Sequence, residues 1–153
     1  MKNTYKQKIE MAKKKKIYIP DSLLNDEKIV GIYKFFWVNG DTKFCFYIGK
    51  STNIAERLLG SGNGHIYNFL KGNLSKTVPL KINTYLKKGY DICVEITPVN
   101  YSDTFFSKAA HRLAFEELKE IVKYQEMGEC PFQVPEGAGT SVEKYWEKNY
   151  KIK

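Results

Sequence analysis

The sequence predicts a small α/β (α+β) protein: a three-stranded mixed or antiparallel sheet, headed by a β-hairpin and flanked by helices. Three observations carry that prediction. Segments 31–38 and 44–48 are rich in aromatic and β-branched residues and are joined by Asn39-Gly40-Asp41, the strongest short-range hairpin signal. Segment 91–98 alternates Ile92, Val94 and Ile96 on one face, which reads as a third strand. Segment 107–125 repeats Ala110, Leu113, Ala114, Leu118, Ile121 and Val122 at helical spacing, so that they form a single apolar stripe.

The elements follow in order. Residues 1–16 carry Lys2, Lys6, Lys8 and the run Lys13 to Lys16, and read as a flexible basic arm able to touch a phosphate backbone. Ile17-Tyr18-Ile19-Pro20 is a short extended piece, with Asp21-Ser22 suited to cap a turn. After the hairpin, Gly49 ends the second strand and Ser51, Thr52 and Asn53 offer N-caps to a helix in which Ile54, Leu58 and Leu59 recur. That helix starts near Asn53 and stops around 60–64. A helical stretch over 66–71 is bounded by Gly72-Asn73, and 79–88 reads as another helix with Leu80, Ile82 and Leu86 inside and Gly89 as its stop. The chain closes with a Gly- and Pro-rich tail from 128 and a short helix over 141–150 anchored by Trp146. The organisation expected is therefore a basic arm and lead-in over 1–28, a folded domain over 29–134 and a C-terminal extension over 135–153.

Composition excludes several classes. A length of 153 residues with 42% hydrophobic residues supports one cored domain rather than disorder. No apolar run approaches the roughly 18 residues of a membrane span, and the Lys-rich start is not a secretory signal. Cys45, Cys93 and Cys130 are odd in number and form no CxxC pair, against a disulfide scaffold or structural zinc and in keeping with a reducing, cytoplasmic setting. Lys plus Arg number 25 against 17 Asp plus Glu, a formal charge of +8, which makes nucleic acid the first partner to consider.

One constellation goes beyond packing. Tyr33 begins the first strand of the hairpin and Tyr47 ends the second, so a tight turn brings them side by side. Arg57 lies just past the start of the next helix, near the point where Tyr47 leaves the sheet. Two phenols and a guanidinium suit a phosphodiester: the guanidinium forks onto non-bridging oxygens, and a phenol positions a water or takes its proton. Charge on the leaving oxygen still needs neutralising, which a divalent cation on one or two carboxylates can do. Glu116 and Glu117 are the candidates. With Leu113 at 0° and about 100° per residue, the apolar stripe centres near about 100°. On that wheel Glu117 falls at about 40°, on the stripe's edge, and Glu116 at about 300°, on the polar face. Glu117 is therefore preferred, with Glu116 as the alternative.

The tripeptides Gly31-Ile32-Tyr33 and Tyr47-Ile48-Gly49, flanking an Asn-Gly hairpin and followed by Lys50, Arg57 and a helical Glu, resemble the GIY-YIG nuclease family over residues 29–134. The resemblance implies the GIY-YIG fold and a metal-dependent DNA endonuclease that leaves 5′-phosphate and 3′-hydroxyl ends. Tyr33 and Tyr47 would bind and activate water. Lys50 would support Tyr47 or the phosphate, Arg57 would stabilise the transition state and Glu117 would hold Mg²⁺ or Mn²⁺. The family's Glu is followed four residues later by an apolar residue, here Ile121, and Tyr124-Gln125 match a pair found in its excision-repair branch. Two positions depart from the family pattern. A His or Tyr is expected four residues after the Arg, where Ser61 stands; His65 or Tyr67 could substitute. An Asn is expected after a Pro at the end of the core, where Pro131 is followed by Phe132-Gln133; Gln133 or Asn149 could serve. The compact plan resembles small phage or restriction nucleases, with DNA, double-stranded, as partner and no membrane; a homo-oligomer is compatible with the sequence. The competing reading is a nucleic-acid-binding module that keeps the fold without cutting. An RNA-processing role is disfavoured because no RRM or KH signature is present.

Overall fold

The computed structural model describes residues 4–24, 28–130, 132–135 and 137–152. Residues 1–3 and 25–27 of the basic arm and lead-in, and Pro131, lie outside the described residues. The chain runs α1 (Tyr5–Lys14), β1 (Ile17–Tyr18), a 3₁₀ turn (Asp21–Leu24), β2 (Gly31–Asn39), β3 (Thr42–Ser51), α2 (Ile54–Leu59), α3 (His65–Leu70), α4 (Thr77–Lys87), β4 (Asp91–Pro98), α5 (Phe106–Glu126) and α6 (Thr140–Asn149). The fold is a mixed α+β sheet with helices on both faces. The sheet has four strands in the order β1-β4-β2-β3, not the three expected. The fourth is β1, whose two residues pair in parallel with Ile92 and Cys93 of β4. Two residues carry no periodicity of their own, and it is the distant partner that makes them a strand.

β2 and β3 form the expected antiparallel hairpin, turning at Gly40 with a φ of 61°, and β2 pairs antiparallel with β4 on its other side. A bulge interrupts the hairpin: Phe35 faces Tyr47, but Phe36 faces Cys45, so Phe46 is the extra residue. The bulge lets Phe46 and Tyr47, neighbours in sequence, join the same layer of the core.

That layer is the larger one. Tyr33, Phe35, Ile92 and Val94 meet Ile9, Ile54, Leu58, Ile66 and Ile82 from α1, α2, α3 and α4. On the other face Ile32, Phe36, Cys45 and Ile48 meet Leu113, Ile121 and Tyr124 of α5, with Cys130 beyond the helix. There Lys34 and Glu120 form a 3.1 Å ion pair, with the ammonium 5.1 Å from the Tyr124 ring centre.

Four expectations need correction. The stretch read as a flexible arm holds a docked helix. Thr4 closes a capping box with Gln7, Ile9 and Ala12 are buried, Tyr5 donates to Glu56 Oε2 at 2.9 Å, and Lys8 Nζ donates to the Leu59 carbonyl at 2.6 Å. The lysine run masked the helical spacing of Tyr5, Ile9 and Ala12. In α4, Leu80 is exposed, and Val78 and Pro79 take the buried positions with Ile82. Trp146 is not a buried anchor: it is 48% exposed, and α6 has no buried residue among those described. Finally, the α5 stripe is only partly covered, since Leu118 and Val122 are 49% and 53% exposed.

Candidate functional site

Both motif glycines are required by close approach. A Cβ on Gly31 would stand 2.2 Å from the Thr97 carbonyl oxygen of β4, so only glycine lets β2 and β4 pair there. A Cβ on Gly49 would stand 2.3 Å from Cζ and from the hydroxyl of Tyr33. The Tyr33 phenol lies across the bare backbone of its register partner. Tyr33 and Tyr47, diagonal neighbours across the hairpin, stack with ring centres 6.2 Å apart and planes at 28°. The expected juxtaposition of the two phenols is present.

The next turn delivers the cation. Asn53 caps α2 by accepting from the Glu56 N–H at 3.2 Å, and the Ile54 N–H donates to the Ile29 carbonyl, tying the helix start to the lead into β2. Ile54, Ala55, Leu58 and Leu59 are buried, which leaves Arg57 half-buried and near enough to the Tyr33 phenol for its cation to favour the phenolate. α2 ends at Gly60, and α3 opens with His65, buried, its Nε2 3.0 Å from the Tyr33 hydroxyl. The His65 ring also meets Tyr47 edge-on at 5.8 Å.

These environments fix the protons. Burial, then the Arg57 charge, lowers the His65 pKa to about 4, so its ring is neutral at pH 7. Burial, then the neighbouring Tyr47, pushes the Tyr33 hydroxyl well above the ordinary phenol range, against the pull of the Arg57 cation. The arrangement consistent with both is a Tyr33 O–H donating to an unprotonated His65 Nε2.

The carboxylate comes from the opposite layer. Glu117, on α5, turns towards the end of β3, where its Oε1 lies 3.4 Å from Lys50 Nζ, and its charge is felt by Tyr33. Glu116 instead pairs with Lys119 at 2.9 Å on the outer side of the helix. Tyr47, Lys50, His65 and Glu117 line one cleft of about 710 Å³. Among the described residues no three His, Cys, Asp or Glu side chains converge as a metal cage. The donor set for a cation at this cleft is the Glu117 carboxylate, which fits an ion such as Mg²⁺ that keeps most of its waters.

Of the open positions, His65 and Gln133 join the cluster, and Ser61, Tyr67 and Asn149 do not. Ser61 turns towards the Lys8 ammonium, its Oγ 3.4 Å away, and its carbonyl accepts from Lys71 at 2.8 Å. The Tyr67 ring holds Lys8 Nζ at 3.9 Å from its centre. Asn149 donates to the Tyr145 carbonyl within its own helix. Gln133 is engaged: Oε1 accepts from the Ile48 N–H at 3.0 Å and Nε2 donates to the Ile48 carbonyl, closing the outer edge of β3 between Tyr47 and Gly49. Gln125 donates to the carbonyls of Gln133 and Cys130 at 2.8 and 3.0 Å. Sequence reading gave Gln125 no role in the site; an edge strand carrying Tyr47 needs outward amides satisfied, and that need was the available signal.

Comparison with protein-family models, with curated proteins and with solved structures finds no match. Among the described residues no helix is long and apolar enough to cross a membrane.

Proposed function

We propose that this chain is a metal-dependent DNA endonuclease of the GIY-YIG type. The observation that carries the reading is the meeting of Tyr33, Tyr47, Arg57 and His65, from one side of the sheet, with Lys50 and Glu117 at the end of β3. Each group has a task. Arg57 and Lys50 receive the non-bridging oxygens of the scissile phosphate and the charge that grows on them. Tyr47 borders the open cleft and orients the attacking water. Tyr33 passes the water's proton onward: its oxygen accepts as its own proton moves to His65 Nε2, 3.0 Å away. The phosphate's negative charge opposes the effect of Arg57 on His65, so substrate arrival favours that transfer. A divalent cation held by Glu117 would supply neutralisation of the leaving oxygen. Products are a 5′-phosphate and a 3′-hydroxyl.

The test is plasmid nicking in Mg²⁺ or Mn²⁺ with and without chelator. Nicks are expected from the wild type and lost with chelator. Arg57→Ala and Glu117→Ala are each expected to slow nicking by about 10²–10³-fold, the scale of losing one transition-state contact. A variant retaining more than a tenth of the wild-type rate removes that residue from the site. If wild type and Glu117→Ala both leave plasmid intact yet both retard it in a salt-dependent manner, the chain is a binding module instead.

A further inference from the structure

The cleft has two unlike walls. Tyr47, Lys50, His65 and Glu117 form the polar one. Most of the remaining lining is apolar: Leu118, Ile121 and Val122 of α5, with Phe132 and Val134 beyond it. This second wall is open: Phe132 is 81% exposed, and Leu118 and Val122 are about half exposed. Its rim is cationic. Lys76 as well as Lys50 lines the cleft, and Lys81 Nζ lies 5.7 Å from the Phe132 ring centre. Among the described residues, Glu117 is the single acidic side chain in the lining.

A paired duplex has little use for such a wall. Its base faces are spent on stacking, and its surface towards a protein is phosphate, sugar and polar base edge. An unpaired nucleotide offers an apolar face as well as a phosphate. Open aromatic and aliphatic side chains bordered by lysines are the combination that single strands require, with bases against the former and phosphates along the latter. A volume of about 710 Å³ accommodates roughly one or two nucleotides.

We infer that the preferred substrate is DNA with unpaired nucleotides at the cut, whose bases lie on the Leu118–Val122–Phe132–Val134 wall while Lys50, Lys76 and Lys81 hold the phosphates. This rests on the nuclease reading above and adds to it the state of the strand.

The experiment uses three labelled DNAs of one sequence: single-stranded, fully paired, and paired except for a central unpaired loop. Binding is followed by fluorescence anisotropy in chelator, cleavage by gel in Mg²⁺. The full chain is expected to bind the single strand and the looped duplex at least fivefold more tightly than the paired duplex, and to cut the looped DNA within the loop. Phe132→Ala, at an exposed position that leaves the core untouched, is expected to lose at least fivefold in affinity for the single strand and less for the duplex. Paired duplex bound and cut as well as the other two overturns this inference and leaves the nuclease reading standing. No cutting of any DNA, with the single strand still preferred in binding and the preference reduced by Phe132→Ala, overturns the nuclease reading and upholds the wall. A dimer in sedimentation that Leu118→Glu converts to monomer, with strand preference unchanged, assigns the wall to a second copy and ends the proposal.

Discussion

The two faces of the sheet solve different problems. On the face bearing Tyr33, Phe35, Ile92 and Val94, helices from four separate segments close over the strands, and Leu58, Leu59, Ile66 and Ile82 are fully buried. On the other face a single long helix, α5, crosses the hairpin and buries only Ala109 and Leu113 of its own residues, leaving Leu118 and Val122 open beside the cleft. The closed face supplies rigidity: it locks the Tyr33 ring over Gly49 and against His65. The sparse face supplies access, because a helix supported along only part of its length can present Glu117 at the rim of a space. Catalytic geometry of the kind proposed needs both, a fixed set of donors on one side and room for a ligand on the other.

Substitutions that separate the faces sharpen this contrast. The largest expected effect is on the closed side, where Phe35→Ala should lower unfolding stability by about 3–5 kcal/mol in a denaturant titration, through lost burial and an unfilled cavity. A loss under about 1 kcal/mol would mean that this face is not the stabilising one. Next comes pH. The His65 pKa is lowered to about 4 in the fold, below the unfolded value of 6.5, so in that window the unfolded chain binds the extra proton. Stability attributable to His65 is therefore complete above pH 6.5 and is lost as pH falls towards 4, by at most about 3 kcal/mol. Thermal melts across that range should show the fall in the wild type and a flatter profile in His65→Gln. If the two profiles are parallel, His65 is not buried beside Arg57.

Smaller effects test the first helix and the open wall. Thr4→Ala removes the capping box of α1 and should lower stability by about 1 kcal/mol, whereas a freely moving arm would show no change. Leu118→Ala, on the sparse face, should stay within about 0.5 kcal/mol of wild type despite being the same kind of truncation as a core Leu→Ala. A Leu118→Ala loss comparable to that of Phe35→Ala would erase the distinction between the faces.

The hairpin, the third long strand and the α5 helix were legible because each carries its own pattern: aromatic and β-branched runs about an Asn-Gly turn, alternation in 91–98, a 3.6-residue period in 107–125. So was the difference in direction between Glu117 and Glu116, since the helical wheel alone turns one towards the sheet and the other away. Other features depended on partners remote in the chain. β1 exists because Ile17 and Tyr18 meet Ile92 and Cys93 some 75 residues on. The docking of α1 depends on Glu56 and Leu59, and the standing of His65 over Ser61 depends on which of them lies under the Tyr33 hydroxyl. Local sequence determines which face a residue presents, because periodicity is set by backbone geometry. How far that face is covered, about half for Leu118 and Val122 on α5, is decided only when distant segments compete for the same surface, and no local pattern encodes that outcome.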